Sequence, residues 1–255
     1  MKAVNQIPVL QKAIQVIGAV GAYPRENTTA TLARSLKIAP ATCYRIIQTF
    51  ARNGWVRVLE NGKCELGDSL FVVLHQLQSH DLMGARIADA LKDLTDATGV
   101  TSKVSVRDAD EAVTLLRVDS LDPMGLSVRP GSRFHLTLGA SGSVLMADLT
   151  GKELDRIIDE APAVCWESQT PDDVRRRVME ARTRGTVYDS GKYRPDIFGI
   201  SAPLYDAEGK LHAALTLTGL KHGRLKKQIE EWRLLLAKQT AKLNEGRRRN
   251  ENCRS

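Results

Sequence analysis

The sequence has no apolar run near the roughly 20 residues that a membrane-spanning helix needs. Its opening segment, MKAVNQIPVLQKAIQV, lacks a long apolar core followed by a small-residue cleavage site, so a secretory signal is not expected there. Cysteine is scarce. Cys43, Cys64, Cys165 and Cys253 are scattered, with no CxxC pair. That argues against a disulfide frame or a zinc site and fits free thiols in a reducing cytoplasm. His75 and His80 have no partner at helical ligand spacing, so they read as packed or solvated side chains. A phosphate loop is also missing. The Gly-Lys pairs at 62–63, 151–152, 191–192 and 209–210 lack the upstream glycine spacing and the following Ser or Thr. Ser141 or Ser143, with His135 or His212 as base, does not sit in a G-x-S-x-G frame, and Cys165 with a distant His is equally unsupported. No cofactor, metal or catalytic centre is therefore expected.

What the chain does have is charge, unevenly placed. Its 255 residues carry a net +7. Residues 1–80 hold nine Lys and Arg against four Asp and Glu, residues 81–220 hold seventeen against twenty-two, and residues 221–255 hold eleven against four. Two basic ends flank an acidic centre. A basic N-terminal module points to a polyanion partner, with a plain solvated surface as the alternative.

The N-terminal module reads as three helices and a hairpin. Val9–Ala22 repeats apolar residues at helical spacing (Val9, Leu10, Ala13, Ile14, Val16, Ile17, Val20), with Pro8 before it and Gly21 and Pro24 at its end. Asn27 and Thr28 offer caps for a helix over Thr29–Lys37, whose inner face is Leu32, Ala33 and Leu36. A tight connection then leads to Pro40, which suits a first helical turn. The helix ending at Arg52 buries Cys43, Ile46, Ile47 and Phe50 and closes on Asn53-Gly54. Its other face carries Ala41, Thr42, Tyr44, Arg45, Gln48, Thr49 and Arg52. Arg pairs bidentately with guanine and Gln with adenine, while Thr and Tyr reach phosphates or a thymine methyl. The two helices alone fit a helix-turn-helix or an ordinary helical hairpin with a wet face. The next stretch favours the first. Trp55–Leu59 and Cys64–Leu66 flank Asn61-Gly62, a hairpin turn signal, so a wing is expected, with Lys63 at its tip. The candidate DNA-binding residues are Thr29, Ala41, Thr42, Tyr44, Arg45, Gln48, Thr49, Arg52 and Lys63.

Beyond the wing, Ser69–Gln78 reads as a linker helix and Leu82–Thr98 as an amphipathic helix. The period then changes to two. Strands are expected over Val100–Arg107, Ala112–Asp119, Gly125–Arg129, Gly199–Leu204 and Leu211–Leu220. Helices are expected over Lys152–Ile158, Asp172–Arg184 and Ile229–Leu243, and Thr137–Leu149 is a Gly- and Ser-rich entry into another. Arg175, Arg176 and Arg177 read as a solvated face, and Gly246–Ser255 as a frayed tail. Strands covered by helices make an α+β sensor-like domain.

Residues 7–75 resemble the winged helix-turn-helix of IclR-type transcriptional regulators. The segments that carry the resemblance are Thr42-Cys43-Tyr44-Arg45-Ile46-Ile47, Gly54-Trp55-Val56-Arg57 and Leu66-Gly67, with Cys64 where the family has an aromatic residue. A looser resemblance runs to about residue 221. It is carried by His135–Ser143, where Leu136, Ala140 and Gly142 fit the family pattern, by Gly185 to Asp189 followed by Gly199–Pro203, and by Thr216–Gly219. The resemblance implies an α+β chain: a winged helix-turn-helix over 1–68, a linker helix over 69–80, and a GAF-like α/β effector domain over 81–255 with a mixed, largely antiparallel sheet. It also implies an effector site at Leu126, Phe134, Ala140, Ser141, Asp189, Gly199, Thr216 and Thr218. A Gly-rich helix start would draw a carboxylate and the threonine hydroxyls would add donors, with Phe134 and Leu126 around an apolar body. The expected partners are a double-stranded DNA operator, a small organic acid, aromatic acids included, and a second copy of the chain as a homodimer or a dimer of dimers. A small-molecule sensor acting through protein contacts is the alternative, and a hydrolase a weaker one.

Overall fold

The computed structural model describes residues 7–22, 27–70, 73, 83–122, 125–192, 194–206, 208–221 and 226–251. The chain forms two compact units, Met1–Leu82 and Met83–Ser255. Most of the expected linker helix, with His75 and His80, lies outside the described residues, as does Cys253.

The first unit contains α1 (Pro8–Ala22), α2 (Thr29–Ser35), α3 (Pro40–Arg52), β1 (Val56–Val58) and β2 (Cys64–Leu66). A reciprocal capping box opens α2: Thr28 Oγ1 accepts from the Thr31 N–H, and Thr31 Oγ1 accepts from the Thr28 N–H. The turn into α3 is a Schellman closure. Lys37 takes the left-handed conformation at φ 54°, and the Ile38 N–H donates to the Ala33 carbonyl at 2.9 Å. Pro40 then starts α3 as its first residue. The core beneath joins Val16, Val20, Leu32, Ala33, Ile38, Cys43, Ile46, Ile47, Val56 and Cys64.

One expectation fails in this unit, at the wing, and α1 is apolar on more than one side. On α1, only Val16 and Val20 of the apolar positions are fully buried, and Val9, Leu10 and Ile14 are exposed. That helix is apolar on more than the one side its own core can cover. In the wing, the Gly62 N–H donates to Leu59 O, so Glu60 and Asn61 are the central turn residues and Gly62 follows at φ 75°. The tip is therefore Glu60–Gly62. Lys63 sits back in the ladder, half-buried and bridged to Thr28.

The second unit contains α4 (Met83–Thr98), β3 (Thr101–Asp108), β4 (Glu111–Val118), β5 (Arg133–His135), α5 (Gly139–Leu145), α6 (Gly151–Asp159), a 3-10 turn (Ala163–Trp166), α7 (Pro171–Arg184), β6 (Val187–Asp189), β7 (Ile197–Tyr205), β8 (Leu211–Leu220) and α8 (Lys226–Glu251). The strands make one sheet in the order β5-β4-β3-β8-β7-β6, and every described pairing is antiparallel. Strand alternation divides its faces. Val104, Phe198, Ile200, Ala202, Leu204, Leu215 and Leu217 pack under α4 and α8 against Leu91, Leu94, Trp232 and Leu236. The opposite face carries Thr101, Lys103, Ser105, Asp189, Ser201, Thr216 and Thr218, all buried.

Sequence pattern misleads at four places here. Gly125–Arg129 forms no strand. The place beside β4 belongs to β5, paired Glu111↔His135 to Val113↔Arg133. Leu126 and Val128 instead line a cavity, together with Ser127 and Arg129. The three-residue β6 is too short to leave a periodic signal. The final helix continues through the basic segment to Glu251, where fraying is expected from composition. Arg177 is buried at 3% exposure, whereas Arg175 and Arg176 are solvated and paired with Asp155 and Asp173.

Close approach fixes α5 against the sheet edge. A Cβ on Gly142 would lie 2.0 Å from the Leu136 carbonyl oxygen. Gly142→Ala is expected to cost about 3 kcal/mol or more, because overpacking here must move backbone. An unchanged urea midpoint would show that this contact is slack.

Candidate nucleic-acid interface and ligand cavity

The helices of the first unit set up a surface of one sign. The sequences of α1, α2 and α3 contain no Asp or Glu. On α3, Ala41, Tyr44, Arg45, Thr49 and Arg52 are exposed, and Thr42 and Gln48 half-buried. Arg45 and Arg52 have no acidic partner among the described residues. The Thr49 hydroxyl is turned inward and donates to Arg45 O at 2.8 Å. Thr29 is half-buried at the start of α2, and its carbonyl faces the Cys43 thiol at 3.7 Å. The wing is tied to the helices by Asn27, which sequence reasoning took only for a cap. Its side chain donates to Val20 O at 2.9 Å, and its carbonyl accepts from the Cys64 N–H at 2.6 Å. One buried residue thus joins the end of α1, through its side chain, to the wing, through its backbone carbonyl. Of the nine nominated residues, seven share the outer side of α3. Thr29 and Lys63 lie together beside it, where Lys63 bridges the residue preceding Thr29.

The second unit holds a cavity of about 340 Å³ on the polar side of the sheet. All eight nominated residues line it: Thr216, Thr218, Gly199 and Asp189 from the strands, Ala140 and Ser141 from α5, and Leu126 and Phe134 from the segment between β4 and α5. Their hydrogen bonds alter the expected chemistry. Thr218 Oγ1 donates to Phe198 O at 2.9 Å. Ser201 Oγ lies 2.9 Å from Thr216 Oγ1 and 3.2 Å from Leu215 O. The Thr218 proton is engaged within the sheet, so Thr218 offers lone pairs to the cavity rather than the donor expected of it, while the Thr216 hydroxyl is shared with Ser201.

Asp189 is held at the cavity edge. Its Oδ1 accepts from the Lys192 N–H at 3.1 Å and lies 3.9 Å from Arg177 Nη1. Behind it, Arg177 donates to Ser143 Oγ at 3.1 Å, Thr137 O at 3.0 Å and Gln169 Oε1 at 2.6 Å. Ser143 is thus committed to Arg177, and the His135 ring to Thr137 Oγ1 at 2.9 Å. Neither arrangement makes a serine–histidine dyad.

Lys103 is one of the cavity residues that sequence reasoning missed, and the only lysine among them. It reads as the polar half of an alternating strand, yet its face is the covered one, and it is 6% exposed. The signal was its register with Thr101 and Ser105, both neutral and both buried. Its Nζ donates to Ser105 Oγ at 3.2 Å and lies 5.6 Å from the centroid of the Phe134 ring. Burial pulls the ammonium down to about 8.

Residues 9–60 match the IclR helix-turn-helix domain, and residues 74–243 match the C-terminal domain of bacterial IclR transcriptional regulators. The chain belongs to the IclR family. It is a DNA-binding transcriptional regulator with an α+β fold, as the resemblance implied. Among related IclR-family proteins, KdgR of Escherichia coli K12 is 26% identical over 223 residues, covering 85% of this chain and 84% of that one. BhcR of Paracoccus denitrificans is 23% identical over 217 residues, covering 84% and 77%. An IclR regulator structure from Alicyclobacillus acidocaldarius shares the fold at TM-score 0.78, with 20% identity and coverage of 95% and 99%. An IclR homologue from Microbacterium hydrocarbonoxydans, in complex with 4-hydroxybenzoate, shares it at TM-score 0.76, with 17% identity and coverage of 94% and 99%. No helix among the described residues is long and apolar enough to cross a membrane.

The Arg177 network is the support on which this IclR-family cavity's carboxylate stands. Arg177→Met strips donors from Gln169, Thr137 and Ser143 and leaves Asp189 buried without its cation. A loss of about 3–5 kcal/mol is expected in chemical denaturation. A loss below about 1 kcal/mol would mean that the network re-forms around water.

Proposed function

We propose that the chain is a ligand-responsive, operator-binding regulator working in the cytoplasm as a homodimer or a dimer of dimers. The outer side of α3 reads bases in the major groove, with Arg45 and Gln48 as base-reading residues and Tyr44, Arg52, Thr29 and Lys63 toward the phosphates. Ala41 and Thr42 keep the helix start narrow, and Thr49 offers a methyl group, its hydroxyl being engaged. A small organic acid occupies the cavity and changes operator binding. The observation that carries the reading is the gathering of Leu126, Phe134, Ala140, Ser141, Asp189, Gly199, Thr216 and Thr218 around one cavity in a DNA-binding chain. The 4-hydroxybenzoate held by a homologue of the same fold makes aromatic acids the first compounds to try. The exposed apolar side chains Ile7, Val9, Leu10 and Ile14 support pairing of two copies through α1, as two-fold recognition of DNA requires.

Gel-shift titration on the DNA upstream of the neighbouring genes tests the regulator reading, with salt-dependent, sequence-selective binding as the expected result. Arg45→Ala should weaken binding by about 1–3 kcal/mol and relax preference at one base position. Weaker binding with preference intact would reassign Arg45 to a phosphate. Thr216→Val removes a lone-pair donor from the cavity and should raise the acid concentration needed for response. Wild-type sensitivity in that variant would remove Thr216 from the site.

A further inference from the structure

A buried cation needs an anion. Lys103 sits on the covered face of the sheet with Ser105 Oγ as its hydrogen-bond acceptor and an aromatic ring beside it. No carboxylate among the described residues forms an ion pair with it. Asp189, the acid that lines the same cavity, is turned to Arg177 and the Lys192 N–H. An ammonium carries three N–H donors, and one is used on Ser105. Ionised groups are almost never fully buried without a partner, because the desolvation penalty is several kcal/mol. A leucine or methionine of similar length would fill this position without that penalty.

We propose that Lys103 is the counter-charge for the ligand's carboxylate, and that the ligand is a small acid carrying a hydroxyl or amino group at its far end. The proposal rests on the cavity reading given above and deepens it. Strand order supplies the geometry. Lys103 is on β3 and Asp189 on β6, three strand spacings apart, so their backbones are separated by roughly 14 Å. The anionic end therefore belongs over β3, against Lys103. The floor between them presents the Thr216 hydroxyl and the acceptor lone pairs of Thr218, and Asp189, also an acceptor, waits at the other side for a donor. The cation is drawn toward the Phe134 ring face, which holds it at the cavity wall without neutralising it.

Other charged groups around the cavity do not substitute for it. Arg117 on β4 is paired with Asp119 and bonded to Ser127. Arg129 and Arg194 line the rim but are exposed to water. Since burial holds Lys103 near 8, an anion bound to it favours the charged form. Acid affinity should thus fall as pH rises above about 8, and arginine at the same position should remove that dependence, because it stays charged.

The test is thermal denaturation and calorimetric titration of the full chain with benzoate, 4-hydroxybenzoate and short aliphatic hydroxy acids, each beside its primary amide. At neutral pH at least one hydroxy acid should stabilise the wild type while its amide does not. Lys103→Met should keep or raise the ligand-free melting temperature, since it removes a buried charge, yet bind that acid about thirtyfold more weakly or worse. Lys103→Arg should retain most of the binding and lose its pH dependence. Equal acid binding in wild type and Lys103→Met would overturn the role of Lys103 and leave the cavity reading standing. Amides that bind as well as acids would overturn the carboxylate. No stabilisation by any member of the series would overturn the proposal, while the gel-shift titration continues to judge the regulator reading separately. Should Lys103→Met fail to fold, a wild-type pH profile identical to that of Lys103→Arg decides against it.

Discussion

Along the central strands of the six-stranded sheet both faces are buried, yet only one of them is apolar. Covering a polar face with helices exposes the chain to the cost of every unpaired donor, acceptor and charge beneath them. The second unit meets that cost piecemeal. Ser201 and Thr216 share protons, Thr218 uses a strand carbonyl, and Arg177 satisfies Ser143, Gln169 and Thr137 while facing Asp189. Two buried polar atoms among the described residues keep no hydrogen-bond partner, Thr114 Oγ1 and Arg177 Nη1, and both lie outside the cavity wall. At the cavity itself, Lys103 is bonded to Ser105 but has no carboxylate among the described residues. A polar ligand would complete an arrangement that the chain keeps open at the expense of its own stability.

The first unit is organised by the opposite economy. Its small core is apolar apart from Asn27, and its polar ties lie where elements meet. Asn27 binds the end of α1 to the wing, and the Schellman turn at Lys37 aims α3 away from α2. With its inner side locked by Cys43, Ile46 and Ile47, α3 can present only the side that carries Arg45 and Arg52. The absence of acidic residues from all three helices leaves that side electropositive, with no ion pair to Arg45 or Arg52 among the described residues.

Much of this was legible in the sequence where a single period governed a segment. The spacing of Cys43, Ile46 and Ile47 gave the buried side of α3, and Asn61-Gly62 announced a hairpin, though not that Glu60 and Asn61 would be its centre. Legibility failed where a residue's environment is set by elements distant in sequence. Leu126 and Val128 alternate like a strand, yet they form none and line a cavity together with Ser127 and Arg129. Arg177 sits among solvated arginines and is buried by contacts with residues 8 to 40 positions away. Lys103 occupies the position of an ordinary exposed strand lysine, and only the helices that cover its face make it a cavity residue. Eight residues of the cavity wall were reached through resemblance to IclR-type chains, and Lys103 was not among them.

The central claim is that occupancy of the cavity is coupled to the affinity of α3 for DNA. Operator affinity measured by fluorescence anisotropy, at fixed salt, with and without a saturating acid ligand, tests it most directly. Coupling of this kind is typically about 1–3 kcal/mol, a change of about 5- to 150-fold, and must appear with equal size when acid affinity is measured on free and operator-bound protein. Agreement between the two factors is the expected result. An operator affinity unmoved by a saturated cavity would contradict the account.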